Sequence, residues 1–271
     1  MKIVSSGRVL NSAAFYKKKK RRKRLQFILI FIGVLAIIFS LIYFFRQEQF
    51  LITTIVVTGE NVIAKEEITQ TVRHLLDGYY LWIIPRANTF IYPRQTIEQN
   101  LTEAFPRLKS IDLNSDELRT LILTVEERAP FALYCVGDKC FFLDKEGLIF
   151  APAPSFSAGV YFIYRTEDLI ENPIGKRFVT PEEFGSLLKF METLSILNIR
   201  PSTLEIGIDD YSLFLSDGGR IIWRRGDDLL FIRSNLEAFL SDDSIRAQSD
   251  FLKKILYLDL RTENKVFYKF K

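Results

Sequence analysis

The segment LQFILIFIGVLAIIFSLIYFF, from Leu25 to Phe45, is the longest uncharged apolar run in the chain and divides it into two parts. It carries no charged residue, and about 20 helical residues at ~1.5 Å each span roughly 30 Å, the thickness of a bilayer core. Because hydrocarbon offers the backbone no hydrogen-bond partner, a segment in the bilayer must satisfy its own amides. The sequence therefore predicts a transmembrane helix over residues 25–45.

A cleaved signal peptide and a buried core helix are the alternatives for this segment. A signal peptide has an apolar region of about 7–15 residues and a small-x-small cleavage site after it. Here the apolar stretch is longer, and Phe-Phe-Arg-Gln-Glu follows from Phe44 without such a site. A core helix would show a polar face, which this segment lacks. We therefore predict an uncleaved membrane anchor.

The charge of the chain is divided sharply at this segment. Residues 1–24 hold 10 of the 37 basic residues and no acid, and the unbroken basic run Lys17–Arg24 lies directly before the apolar stretch. Basic residues beside a membrane helix stay on the cytoplasmic side and attract anionic lipid. We therefore expect a basic cytoplasmic tail over 1–24, a single pass through the plasma (inner) membrane, and export of residues 46–271.

The composition of residues 46–271 disfavours several classes of function. With 27 basic against 33 acidic residues, this region is mildly acidic, which argues against a nucleic-acid ligand. The chain has two cysteines and one histidine, His74, and lacks the Ser-x-x-Lys and Gly-x-Ser-x-Gly patterns. We therefore predict no catalytic, cofactor-binding or metal site and no small-molecule substrate. The exported region is expected to bind other proteins rather than to act as an enzyme.

Hydrophobic periodicity over residues 46–128 predicts a small α+β domain. The expected elements are a strand over 52–58, a helix over 64–77, a helix opened by Pro93, and strands over 108–113 and 120–127 joined by a turn at 114–117. In this order of strand, helix, helix, strand and strand, two helices cover one face of a sheet.

From Ala129 onward the pattern changes to hairpins. Short apolar stretches alternate with turn residues, and two amphipathic helices are expected, one from Pro181 and one around 229–240. The chain closes with a strand, a turn and a strand between Ile255 and Phe270. Residues 129–271 therefore predict a β-rich α+β domain with a mostly antiparallel sheet.

The two cysteines flank a predicted hairpin turn. If Gly137 and Asp138 form a two-residue turn, Cys135 faces Cys140 at a non-hydrogen-bonded position, where Cα atoms lie ~4.5 Å apart. That spacing is at the short end of disulfide geometry, and a disulfide persists outside the cytoplasm. A disulfide across the hairpin is therefore expected, and two free, packed thiols are the alternative.

Four short motifs, in this order behind a membrane anchor, resemble the FtsQ/DivIB family of bacterial cell-division proteins. Ile55–Gly59 resembles the opening strand and turn of its POTRA-type domain, and Val125–Ala132 resembles the junction between its two domains. Phe142–Phe150 resembles the first hairpin of its β domain, and Tyr257–Arg261 resembles its closing strands. The resemblance implies a POTRA-like domain over 46–128 and an FtsQ-type β domain over 129–271.

The same resemblance implies a scaffold of the divisome at the division septum. The family binds division membrane proteins of the FtsB (DivIC) and FtsL type, largely through the last strands of the β domain. A terminal strand often lies at a sheet edge, where its unpaired N–H and C=O groups can accept a partner strand. The expected partner-binding residues are Leu258, Arg261, Thr262, Asn264, Lys265, Val266 and Tyr268.

Arg261 is the expected charged contact of this strip, and Val266 and Tyr268 are the apolar and aromatic contacts. The alternative is that these residues only complete the sheet.

Two rival functions are an adaptor or sensor unrelated to division and an exported enzyme. A third rival, an outer-membrane POTRA protein, would carry a barrel of alternating ~10-residue strands, which the sequence lacks.

Overall fold

The structure is a computed structural model, and it describes residues 12–155, 159–246, 251–263 and 265–271. Residues 1–11 of the predicted basic tail lie outside the described residues. The chain divides into two compact units. The first comprises the residues up to Thr58, Ala64–Glu98 and Asp112–Thr124, and the second comprises Gly59–Ile63, Gln99–Ile111 and Val125–Lys271. The predicted domain boundary after residue 128 stays a prediction.

The first element is helix α1, Ser12–Phe45, which begins well before the predicted segment. The helix continues through the basic run because Lys and Arg are good helix formers. The part of this helix from Tyr16 to Phe45 is long and apolar enough to cross a membrane. In its most apolar 18 residues, no residue is buried by the rest of the protein. A core helix of a soluble protein would bury one face, so this exposure favours a membrane helix.

A three-stranded sheet follows, with strand order β1-β5-β4 and β1 parallel to β5. The elements are a short 3₁₀ turn at Glu48–Phe50, β1 Thr54–Thr58, α2 Lys65–Leu76, β2 Tyr79–Tyr80, β3 Ile84–Pro85, α3 Arg94–Ala104, β4 Leu108–Asp116 and β5 Thr120–Glu127. Helix α2 buries side chains at a four-residue spacing, those of Ile68, Val72 and Leu76. This spacing places them on one face of a helix and explains why the segment is helical.

One local feature of this region was not predicted from the sequence, and another differs from its prediction. The short apolar stretch after α2 forms the small antiparallel hairpin β2-β3. The predicted turn at 114–117 is wrong, because β4 continues to Asp116 and the chain reverses at Glu117 and Leu118. Both residues adopt left-handed backbone conformations, with φ of 50° and 60°. Neither is a residue type that marks a tight turn, so no local signal predicts a reversal at these two positions.

The β-rich region forms a nine-stranded sheet with the order β14-β13-β12-β11-β10-β9-β6-β7-β8. Its strands are β6 Ala132–Val136, β7 Lys139–Leu143, β8 Ile149–Pro152, β9 Ile163–Thr166, β10 Pro201–Ile206, β11 Asp210–Leu215, β12 Arg220–Arg224, β13 Ile255–Thr262 and β14 Lys265–Phe270. Its helices are α4 Pro181–Ile196, α5 Leu229–Ser241, α6 Asp243–Arg246 and α7 Phe251–Lys254.

Five of the eight neighbouring pairs in this sheet are antiparallel: β13/β14, β11/β12, β10/β11, β6/β7 and β7/β8. The other three pairs are parallel. The predicted mixed α+β class, the apolar N-terminal helix and the mostly antiparallel β-rich region are therefore confirmed. Three parallel pairs were not predicted, because each joins strands separated by a long crossover.

Helices α4 and α5 supply the apolar side of this region. Phe184 and Leu187 of α4 and Ile232 of α5 are almost fully buried, and they belong to one core with Trp223 of the sheet. Helix α4 begins cleanly because the Thr180 hydroxyl accepts a hydrogen bond from the next turn and Pro181 occupies its first position. The core lies between the helices and one face of the sheet.

Glu127, at the end of β5, holds a loop through its carboxylate. Its Oε1 accepts hydrogen bonds from three consecutive backbone N–H groups, those of residues 61–63, at 2.8–3.0 Å. Burial opposes ionisation of Glu127, but the three donors outweigh it and lower the pKa of this carboxyl. The neighbouring Glu126 points the other way and pairs with Lys109 at 2.9 Å, as alternation along a strand requires.

Arg128 forms a buried ion pair with Asp144, and their side chains are 11% and 7% exposed. The Arg128 Nε also donates to the Pro106 carbonyl at 3.2 Å. The other carboxylate oxygen of Asp144 accepts the backbone N–H groups of Glu146 and Leu148. This pair therefore joins the start of the β-rich region to the turn between β7 and β8.

Candidate functional site

The two edges of the nine-stranded sheet are not alike. At one edge, the outer side of β8 is covered by the segment 175–177: the Ile149 N–H donates to the Lys176 carbonyl, and the Gly175 N–H donates to the Ile149 carbonyl. At the other edge, β14 pairs with β13, and among the described residues no strand pairs with its outer side. Strand β14 therefore presents an open edge.

The side chains of β14 alternate between two faces. Val266 and Phe270 are half-buried and pack against the core on the helix side. Tyr268 lies on the same side, with its ring centroid 5.3 Å from that of Phe239 and 6.3 Å from that of Phe251. The helix side of the edge is therefore aromatic and partly covered.

Lys265, Phe267 and Lys269 are exposed along β14, and Phe267 and Lys269 lie on the face opposite Tyr268. Phe267 is 52% exposed, and it lies opposite Asp259 of β13 in the register of the pair. An exposed phenyl ring between two lysines offers a partner both apolar area and positive charge. Phe267 and Lys269 were missed by the sequence analysis, although the period of two along 265–270 would have found them.

A cavity of about 460 Å³ lies beside the helix side of β14. Its lining residues are Asn235, Ala238, Phe239, Asp242, Ser244, Ile245, Lys265, Val266 and Tyr268. The hydroxyl and backbone N–H of Ser244 bind the Asp242 carboxylate and lower its pKa. The cavity thus combines an aromatic wall with a charged carboxylate, next to the open edge.

Leu258 is removed from the predicted partner-binding strip. Its side chain is fully buried in the core, and β13 has a strand on each side, β12 and β14. Neither its side chain nor its backbone is therefore available at the edge. Local periodicity does not show that β13 has a neighbour on each side, so the sequence alone could not exclude Leu258 from the strip.

Arg261 is bound within the sheet. Its Nη1 donates to Asp210 at 2.8 Å, and its Nε and Nη2 bind the two oxygens of Asp259 at 3.0 and 2.6 Å. The hydrogen bonds to Asp259, and then to Asp210, raise the pKa of Arg261 and keep it charged. The same contacts lower the pKa of Asp259. Whether Arg261 also contacts a partner stays a prediction.

The remaining predicted residues lie at the hairpin turn and on β14. Thr262 is exposed and pairs with Lys265 across the turn, and Asn264 lies outside the described residues. The structure therefore brings together Thr262, Lys265, Val266 and Tyr268 at one end of the open edge.

The predicted register of the β6/β7 hairpin is confirmed, with Cys135 opposite Cys140 and Val136 opposite Lys139. The two cysteine Cα atoms lie 4.1 Å apart, and the sulfur atoms are bonded as a disulfide. Cys135 is buried. The bond lies near the β8 end of the sheet, away from the open edge in strand order.

A second cavity, of about 830 Å³, lies between α4, α5 and the loop after β12. Its main polar group is Glu183, which binds Arg225 through both oxygens at 2.9 and 3.0 Å and accepts the Tyr211 hydroxyl at 2.5 Å. Burial, followed by the Glu183 contact, raises the pKa of Tyr211. Two partners therefore hold the Glu183 carboxylate in place.

Among the described residues, no group of three His, Cys, Asp or Glu side chains is placed to hold a metal ion. His74 is exposed on α2. In comparisons with known proteins, no family model matches the chain and no curated protein matches it.

Proposed function

We propose that this chain is a single-pass membrane scaffold of the bacterial divisome, of the FtsQ/DivIB type. It binds other division proteins through the β-rich region on the outer side of the membrane. Support comes from the apolar helix behind a basic run, from the four motifs that resemble this family, and from the open edge at β14. The open edge is the observation on which the docking mechanism depends.

A partner segment adds to β14 as a further strand. Each backbone hydrogen bond contributes only ~1 kcal/mol net, so a six-residue edge gives modest affinity by itself. Side chains supply the selectivity. Along the strand, Lys265 and Lys269 flank Phe267 and favour a partner strand with an apolar residue between two acidic ones. On the face opposite Phe267, Tyr268 and the adjacent cavity accept an apolar side chain.

The proposed partners are division membrane proteins of the FtsB/DivIC and FtsL type. Such proteins lie in the same membrane in which we propose that α1 is anchored. The protein is accordingly expected at the division septum. A fluorescent fusion that spreads evenly over the cell membrane during division would count against the divisome and favour an unrelated adaptor.

Proline at Val266 tests the docking edge. Proline has no N–H donor and its ring obstructs pairing, so V266P is expected to abolish capture of the partner by the full-length protein in detergent. The control is V160P, the same change at an exposed turn position of the same unit, which should bind normally. Equal binding by V266P and V160P would place the docking site elsewhere.

A charge-reversal variant separates loss of binding from loss of folding. K265E/K269E changes only exposed side chains, so the sheet should stay folded, while an acidic partner strand should be repelled. The expected result is weaker capture that is partly restored at high salt. Unchanged capture by this variant would contradict an acidic partner strand.

A further inference from the structure

The β2-β3 hairpin exposes the two most exposed large hydrophobic side chains among the described residues. Leu81 is 87% exposed and Trp82 is 96% exposed, and both values exceed those of the exposed large apolar side chains of α1, of which Tyr43 has the highest at 72%. Tyr79 and Ile83, on either side, are also exposed. A continuous apolar tip of this kind on a water-soluble surface marks an interaction site.

The backbone conformation that holds these side chains outward is strained. Leu81 and Trp82 both adopt left-handed conformations, with φ of 48° and 65°. Tight hairpins normally use Asn, Asp or Gly at such positions, because a bulky side chain is strained there. Turn formation alone therefore does not explain a leucine and a tryptophan at this tip.

The hairpin is tied to the outer end of α1 within the same unit. Strand β3 lies within 8 Å of α1, measured between Cα atoms. Just after β3, the buried Asn88 donates its side-chain N–H to the Phe45 carbonyl at 2.9 Å. The Thr89 N–H donates to the Phe50 carbonyl, and the Ile52 N–H donates to the Ala87 carbonyl. These bonds fix the hairpin where the apolar helix ends.

We propose that the hairpin inserts Leu81 and Trp82 into the interfacial layer of the outer leaflet. The proposal rests on the membrane anchoring of α1, which places this hairpin at the bilayer surface. Leucine buries its side chain among the acyl chains, and tryptophan prefers the interface, where its ring is apolar and its N–H reaches the headgroups. The hairpin and α1 together give the unit two attachments, which restrict how it tilts on the membrane.

Tryptophan fluorescence of the full chain in lipid nanodiscs tests this proposal. The protein has two tryptophans, and Trp223 is fully buried in the core, so subtraction of a W82F sample isolates the Trp82 signal. With brominated acyl chains, Trp82 is expected to lose most of its emission, and aqueous iodide should quench it weakly. Free access of iodide to Trp82, with no effect of bromine, would overturn the proposal.

Two control variants, both in the W82F background, make the result unambiguous. E66W places an exposed tryptophan at the first turn of α2, ~17 Å along that helix from the hairpin, and should respond to iodide but not to bromine. F39W places a tryptophan in α1 and should respond to bromine. Quenching of F39W without quenching of Trp82 overturns the hairpin proposal alone. If bromine quenches neither the F39W tryptophan nor Trp82, the membrane anchor is overturned as well.

Discussion

Replacing Arg128 by alanine should be among the most destabilising single changes in the β-rich region. The substitution leaves the Asp144 carboxylate buried without its cation, and breaking a buried pair in this way costs about 3–5 kcal/mol. Asp144 keeps two backbone donors on its other oxygen, at 2.8 and 2.9 Å. We therefore expect a loss near the lower limit, about 3 kcal/mol, or roughly a hundredfold in the folding equilibrium.

Urea unfolding of the full chain in detergent measures this loss. The emission of Trp223, which is buried in the same unit, follows unfolding, and the W82F background removes the exposed tryptophan. The matched control is R165A. Arg165 lies 3.9 Å from Glu205, and both side chains are about half exposed, so its loss should cost less than about 1 kcal/mol.

A second variant tests the cause of the destabilisation. In R128M/D144N no charge is buried, and the asparagine oxygen still accepts the backbone N–H groups of the turn. The double variant should therefore recover most of the stability lost by R128A. If R128A costs no more than R165A, the buried pair does not stabilise this region and the reasoning fails.

Two further predictions concern Glu127 and the disulfide. Because the pKa of Glu127 is lowered in the folded state, its stabilisation is complete above the unfolded carboxyl value of about 4.3 and is lost as pH falls below it. Glu127→Gln should therefore flatten the fall of the urea midpoint between neutral and acidic pH, and an unchanged slope would refute this. Replacing Cys135 and Cys140 by serine should cost at most about 2 kcal/mol, since the closed loop is short. A larger shift of the urea midpoint would contradict that estimate.

Features that depend on residues close together in the chain were predictable from the sequence. The apolar helix follows from an uncharged run of bilayer length, and the register of the cysteine hairpin follows from Gly137 and Asp138. Most helices and strands follow from the period of their apolar residues. The exact strand ends did not follow, as at β4, because left-handed turn residues without Gly or Asn give no local signal.

Features that depend on pairing between distant segments were decided by the tertiary structure alone. Only the strand order shows that β14 is an open edge while the segment 175–177 closes β8. Only the folded sheet brings Asp210 to Arg261, 51 residues away in sequence, and buries Leu258 in the core. Local periodicity tells which face of a strand is apolar, but long-range packing decides which neighbours it has, and hence which edge can receive a partner.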